Sequence, residues 1–272
     1  MTPSFIPNFR VQVDYFDIKI ESIINNIGAN TILNECINND LLCNDIHRDT
    51  TPGAEGSLWL TNNGYIADTL LNVGQIEEKG VDFDLSYRHD LGGFGRALFS
   101  FNGTYLSSYE VTAIQNDPTT KYSCTGYYGT TCSNSTGGPA FRWRHTLRGT
   151  WQTPWDALDL TATWRYYSPV KNEILSGNPN VADGTVAPAT VANGQISNTD
   201  AYVSSRSYLD LSASVKVSDH VNLRLGVNNL LDKDPPVIGA SSIPGTVGNG
   251  NTFPGVYDAL GRYLFAQVTA TF

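Results

Sequence analysis

Four arginines, Arg142, Arg144, Arg148 and Arg165, are the residues of this chain best equipped for recognition chemistry. A guanidinium presents a rigid fork of donors matched to carboxylate or phosphate. The first three are separated by even numbers, so an extended strand puts them on one face, whereas a helix would scatter them round its circumference. Two uses stand open: pairing with Asp82, Asp84, Asp159 or Asp210, or lining the path of an anionic ligand. The four cysteines fall as two close pairs, Cys36 with Cys43 and Cys124 with Cys132, each in a polar, loop-like stretch. Zinc wants shorter spacing and usually a histidine nearby, so local disulfides formed in an oxidising compartment are expected. Tyr122, Tyr127, Tyr128 and Phe253 also lie in loop-like stretches and offer rings that could stack on a sugar or an aromatic chelate.

No catalytic constellation accompanies these residues, and the chain is not expected to be an enzyme. The histidines His47, His89, His145 and His220 sit in separate elements, and no Gly-x-Ser-x-Gly elbow occurs. The run Gly245 to Gly250 lacks a lysine and does not open a helix, so it reads as a loop and not as a phosphate cradle. No cofactor or metal site is expected. A formal charge of −9 and a pI near 4.8 argue against a nucleic-acid partner, which would demand basic density.

The elements that must hold the arginines are strands. Charged residues make up only 16% of the chain, aromatics 11%, and there are 14 Tyr and 25 Gly, a balance that favours β structure with many turns. Alternation is the recurring pattern. Phe141, Trp143, His145, Leu147, Gly149 and Trp151 oppose Arg142, Arg144, Thr146, Arg148, Thr150 and Gln152, and Leu158 to Tyr167 repeats the scheme. So do Val81 to Arg88, Leu209 to Val217 and Val221 to Asn228, with weaker versions near 9–18 and 96–108. A soluble sandwich would not turn three arginines toward its core. No apolar run approaches the roughly 20 residues of a membrane helix, a test that strands escape because half their residues avoid lipid.

Connections alternate short and long. Asp90 to Gly95, Pro154 to Ala157 and Ser218 to His220 are tight, while about 21–72, 111–139, 169–200 and 232–261 are long, and both cysteine pairs fall in long ones. The expectation is an all-β fold: an antiparallel transmembrane β-barrel segment of about eight strands, with short periplasmic turns and long extracellular loops.

The last strand sets Leu264, Ala266, Val268, Ala270 and the terminal Phe272 on one face, and this is similar to the C-terminal signal of Gram-negative outer-membrane proteins. Together with Gly226-Val-Asn-Asn-Leu-Leu-Asp-Lys-Asp-Pro-Pro236 and Tyr257-Asp-Ala-Leu-Gly-Arg-Tyr263, it resembles the carboxy-terminal end of a TonB-dependent outer-membrane receptor. Leu231 stands where that family commonly has Phe. Val13 to Ile20 and Gly80 to Asp84 also resemble internal strands of such receptors.

The resemblance implies a barrel of about 22 strands closed by an amino-terminal plug that carries a TonB box. Residues 1–272 would be the C-terminal portion of the barrel, with plug and TonB box absent and no secretory signal visible at the start. The implied partners are outer-membrane lipid, the barrel-assembly machinery, TonB only through the missing plug, and an extracellular small molecule: a siderophore, cobalamin or an oligosaccharide. The implied location is the cell outer membrane of a Gram-negative bacterium. In that setting Arg142, Arg144, Arg148 and Arg165 face the lumen, toward acidic strand residues and the plug or toward an anion such as a ferric chelate. The alternative is a self-sufficient small eight-stranded barrel acting as an adhesin or anchor; a third, weaker reading is a secreted sugar-binding sandwich.

Overall fold

The computed structural model describes residues 6–155, 157–181 and 198–271. Eight long strands dominate it: β1 (Phe9–Asn26), β2 (Leu70–Asp90), β3 (Arg96–Thr112), β4 (Trp143–Gln152), β5 (Leu158–Tyr167), β6 (Arg206–Ser218), β7 (Val221–Asn228) and β8 (Tyr263–Ala270). They pair antiparallel and in chain order, each with the next, so the sheet is a single meander. The short strand Lys121–Ser123 adds to the end of β3. Among the described residues β1 and β8 do not pair with each other, so the wall is open and the eight strands do not close on themselves.

Register follows the alternation. Leu147, Trp164 and Leu209 stand side by side on one face, and Arg148, Thr163 and Asp210 on the other. A slip of one residue would exchange the two faces, so the contrast between them fixes the pairing.

Tight turns close one end of the sheet. Asp219-His220 joins β6 to β7, and Leu91 to Gly95 joins β2 to β3. Gly95 has φ +88° and accepts a 2.8 Å bond from the Leu91 amide. A side chain at Gly95 would also run into the Gln152 carbonyl on β4, so both conformation and space select glycine here. The β4–β5 turn is equally short, though Asp156 within it lies outside the described residues.

The long connections at the other end contain the hydrophobic core. Between β1 and β2 lies helix α1 (Ala29–Asn39), whose Ile32 packs with Ile27, just before the helix, and Ala113. The other three long connections share one cluster: Tyr128, Phe141, Val170, Val203, Tyr208, Ile238, Phe253 and Tyr257. A second cluster joins Leu106, Tyr109, Val111 and Tyr122 to Cys124 and Cys132 beside helix α2 (Thr130–Thr136). These loops are therefore folded, and two expectations change. Tyr122, Tyr128 and Phe253 are buried and hold the loops together, so they are not free to stack on a ligand. Phe141 does not continue the outward row of β4; it is buried against Tyr167 and Tyr257, with ring centroids at 5.2 and 6.2 Å. Among the described residues the sheet is one layer thick and has no second layer to bury against.

Candidate functional site

The polar face of the wall is set by strand pairing. Arg144 lies beside Thr104 and Tyr167, and Arg148 beside Ser100 and Thr163. Arg142 precedes β4, its carbonyl accepting from the Leu106 amide at 2.9 Å and its side chain lying near Gly126. The expected pairing with strand aspartates occurs once. Asp82 accepts from Thr104 and Asp84 from Asn102, both at 2.8 Å. Arg142, Arg144 and Arg148 make no side-chain hydrogen bond or ion pair among the described residues.

Arg165 is different. Its Nε and Nη2 bond Asp210 at 2.8 and 3.0 Å, while Nη1 and Nη2 bond Asp258 at 3.0 and 2.6 Å. The guanidinium also lies 5.0 Å from the Tyr208 ring centre. Asp210 takes a further bond from the Asn229 amide at 2.8 Å. Asn229, fully buried, bridges to Lys233 through both atoms of its amide. The Asp258 partner was invisible in the sequence because it arrives from a loop 93 residues away. Arg165 thus clamps the loop between β7 and β8 onto the wall. With both carboxylates engaged, it is not available to a ligand.

The opposite face is apolar although it is open. Val13 and Tyr15 on β1 are 56% and 65% exposed, and Leu264 and Val268 on β8 are 81% and 67% exposed. Phe99, Leu160, Leu211 and Leu225 continue it across the wall. Ala266 and Ala270 lie with Leu264 and Val268 opposite the apolar row of β7, while Phe272 lies outside the described residues.

Two aromatic rows bound this face. Near the turns are Phe94, Trp155 and Trp151, whose indole donates to the Phe94 carbonyl at 2.8 Å. Toward the loops are Tyr105, Trp143, Trp164 and Tyr166, with His145 enclosed among the last three. Eight residue steps along β4 carry the chain from Trp143 to Trp151, roughly 26 Å along the strand. At the usual barrel tilt this projects to about 20 Å, on the scale of the apolar band of an outer-membrane barrel, about 25 Å tall and bounded by aromatic girdles. Beyond Tyr15 the same face turns charged, with Asp17, Lys19 and Glu21 on β1 and Glu77 and Lys79 on β2 joined in ion pairs. The apolar band ends there.

Residues 5–230 match the family description "TonB dependent receptor-like, beta-barrel". The chain belongs to the TonB-dependent receptor family. No curated protein sequence matches it. Among solved structures it resembles the ferric enterobactin receptor PfeA of Pseudomonas aeruginosa, a G324V mutant, with TM-score 0.56 and 17% identity over 98% of this chain and 29% of that one. Similar are the siderophore receptor PirA of Acinetobacter baumannii (TM-score 0.51, 16% identity, 98% and 30% covered) and the FrpB iron transporter of Neisseria meningitidis (TM-score 0.51, 16% identity, 98% and 29% covered). These likenesses establish a shared fold. The chain spans about three tenths of the length of those receptors.

In this TonB-dependent receptor barrel the long loops carry both disulfides, Cys36–Cys43 and Cys124–Cys132. The second is fully buried and adjoins a buried carboxylate that no sequence pattern singles out. Glu173, from the connection after β5, accepts from the amides of Thr131 and Cys132 at 2.9 and 2.6 Å and from the Thr130 hydroxyl at 3.3 Å. It caps the exposed donors at the start of α2 from another loop. Gly129, at φ +157°, leaves room for it, since a side chain there would overlap that of Glu173.

Burial pushes the Glu173 carboxyl above its ordinary value of 4.5, outweighing the amide bonds. The folded state therefore holds this proton more tightly than the unfolded chain, so the contribution is full below pH 4.5 and declines as pH rises through the folded pKa. Glu173→Gln should flatten that slope. Thermal midpoints of the two proteins in micelles, measured from pH 4 upward, should separate with the wild type falling faster; parallel curves would remove Glu173 from the balance.

Proposed function

We propose that the chain is the C-terminal barrel portion of an outer-membrane nutrient-uptake receptor, contributing lipid contact, part of the lumen wall and three co-folded extracellular loops. Its polar face would line the lumen, with Arg142, Arg144 and Arg148 directed inward. The apolar face would meet outer-membrane lipid after insertion by the barrel-assembly machinery, and TonB would engage a plug carried elsewhere in the receptor. Ferric siderophores are the proposed cargo class. The receptors of similar fold are described as ferric enterobactin and siderophore receptors, and Arg148, without a partner among the described residues and away from the aspartates around Arg144, suits an anionic chelate.

The observation that carries this reading is the exposed apolar face between two aromatic rows on a sheet with a polar reverse. A water-soluble sheet would cover such a face with a second layer. The rival small barrel needs β1 to pair with β8, which the described residues do not do.

Brominated lipid provides the test. Refolded into vesicles with brominated acyl chains, the protein should lose a large part of its tryptophan emission, because Trp143 and Trp151 sit at the edges of the apolar band and Trp164 faces it between them. Shallow bromines should quench more than deep ones. Emission equal to that in unbrominated vesicles would overturn the membrane assignment.

A further inference from the structure

We propose that the polar face carries an anion-binding groove centred on Arg148 and flanked by Arg88 and Arg224, which takes a small multivalent oxyanion bearing carboxylates or phosphate. The inference rests on the receptor reading above, because only there does this face line a passage.

Arg148 stands where two concavities meet. One, of about 370 Å³, is lined by Ser86, Arg88, Ser100 and Thr150; the other, of about 310 Å³, by Thr163, Ser212 and Arg224. Both are of a size that holds small molecules. Serine and threonine hydroxyls line the space between the guanidinia and can donate to the same oxygens.

The charge balance favours an anion. Asp210 is the one carboxylate in the two linings, and it is already occupied by Arg165 and the Asn229 amide. The strand neighbours of Arg148, Ser100 and Thr163, bring no charge to it, and its guanidinium has no partner among the described residues. Arg88 and Arg224 are held only by long bonds of 3.4 Å, to Asn8 and Ser212, and Arg224 lies 5.5 Å from the Phe265 ring centre. Most of their donors stay free. An anion placed between them would gain charge-assisted bonds and relieve their mutual repulsion.

The neighbouring concavity, of about 480 Å³, is its opposite. Asp14, Asp82 and Asp84 surround the single cation Arg144, and Asp14 stands directly across from Asp82 in the register. An anion would be repelled there. The wall therefore separates an acidic patch on β1 and β2 from a basic groove centred on β4, and only the groove suits an oxyanion.

Calorimetric titration with citrate, and separately with inorganic phosphate, tests the groove in the whole chain refolded in zwitterionic micelles at low salt. Citrate should show one saturable site. Arg148→Gln should weaken it about tenfold, the loss of one charge-assisted bond, Arg148→Lys less, and the loop variant Arg48→Gln not at all. Because Arg148 has no partner to lose, its replacement should leave the folded state intact. If citrate does not saturate, or if Arg48→Gln weakens it as much as Arg148→Gln does, the groove is overturned and the attraction is diffuse. The brominated-lipid measurement separates the two readings. A chain that embeds but ignores citrate loses only the groove, and one that does not embed loses both.

Discussion

Leu147→Arg should cost about 2–4 kcal/mol of stability in a bilayer, whereas Thr161→Arg, on the polar face of the neighbouring strand, should cost far less. Leu147 lies on the apolar face of β4 midway between Trp143 and Trp151, and Thr161 on β5 faces the other way, bonded to Thr150 at 3.0 Å. If water bathed both faces, the pair would be expected to rank the other way. Leu147→Arg would then place a charge on a half-exposed surface at little cost, and Thr161→Arg would lose a hydrogen bond. The contrast arises from the unfavourable transfer of a guanidinium into acyl chains at mid-depth. Reversible urea unfolding from lipid vesicles measures both variants, and equal midpoints would remove lipid from the apolar face.

The second large effect concerns Arg165→Ala. Removing the guanidinium strands Asp210 and Asp258, whose side chains are only 16% and 13% exposed. Breaking a buried ion pair from one side costs about 3–5 kcal/mol, and residual exposure here brings the expectation to about 2–4 kcal/mol. Asp258 and the Asn229 bridge fasten the loop between β7 and β8, so the same variant should open that loop to proteases before the strands unfold. A triple variant, Arg165→Met with Asp210→Asn and Asp258→Asn, should recover much of the loss, because the uncompensated carboxylates go with the arginine. If the triple variant is as unstable as the single one, lost packing and not lost charge compensation explains the effect.

The strands were legible because each face meets a different environment, and alternation with period two follows from that. The turns were legible because two-residue and glycine-bearing links have few solutions. The cysteine pairing was legible from short spacing. The interior of the loops was not. Tyr128, Phe253 and Tyr257 follow no period, because their burial depends on which loops meet in space. Glu173 has the sequence surroundings of any surface glutamate, and only the approach of α2 from another loop makes it a cap. Arg165 shares its strand pattern with Arg142, Arg144 and Arg148, and its different role is decided by a distant aspartate. Period two can assign an arginine to a face, but it carries no information about which guanidinium is already paired.

If the long loops face outward, as proposed, one consequence concerns recognition from outside the cell. The three long loops after β3, β5 and β7 share a single cluster around Tyr128, Phe141 and Tyr257, so no loop keeps its shape independently. An antibody or phage that binds this surface should read a composite of segments distant in sequence and lose affinity for linear peptides. A change that escapes it in one loop is likewise constrained by the other two, and variation here should come as linked sets of substitutions.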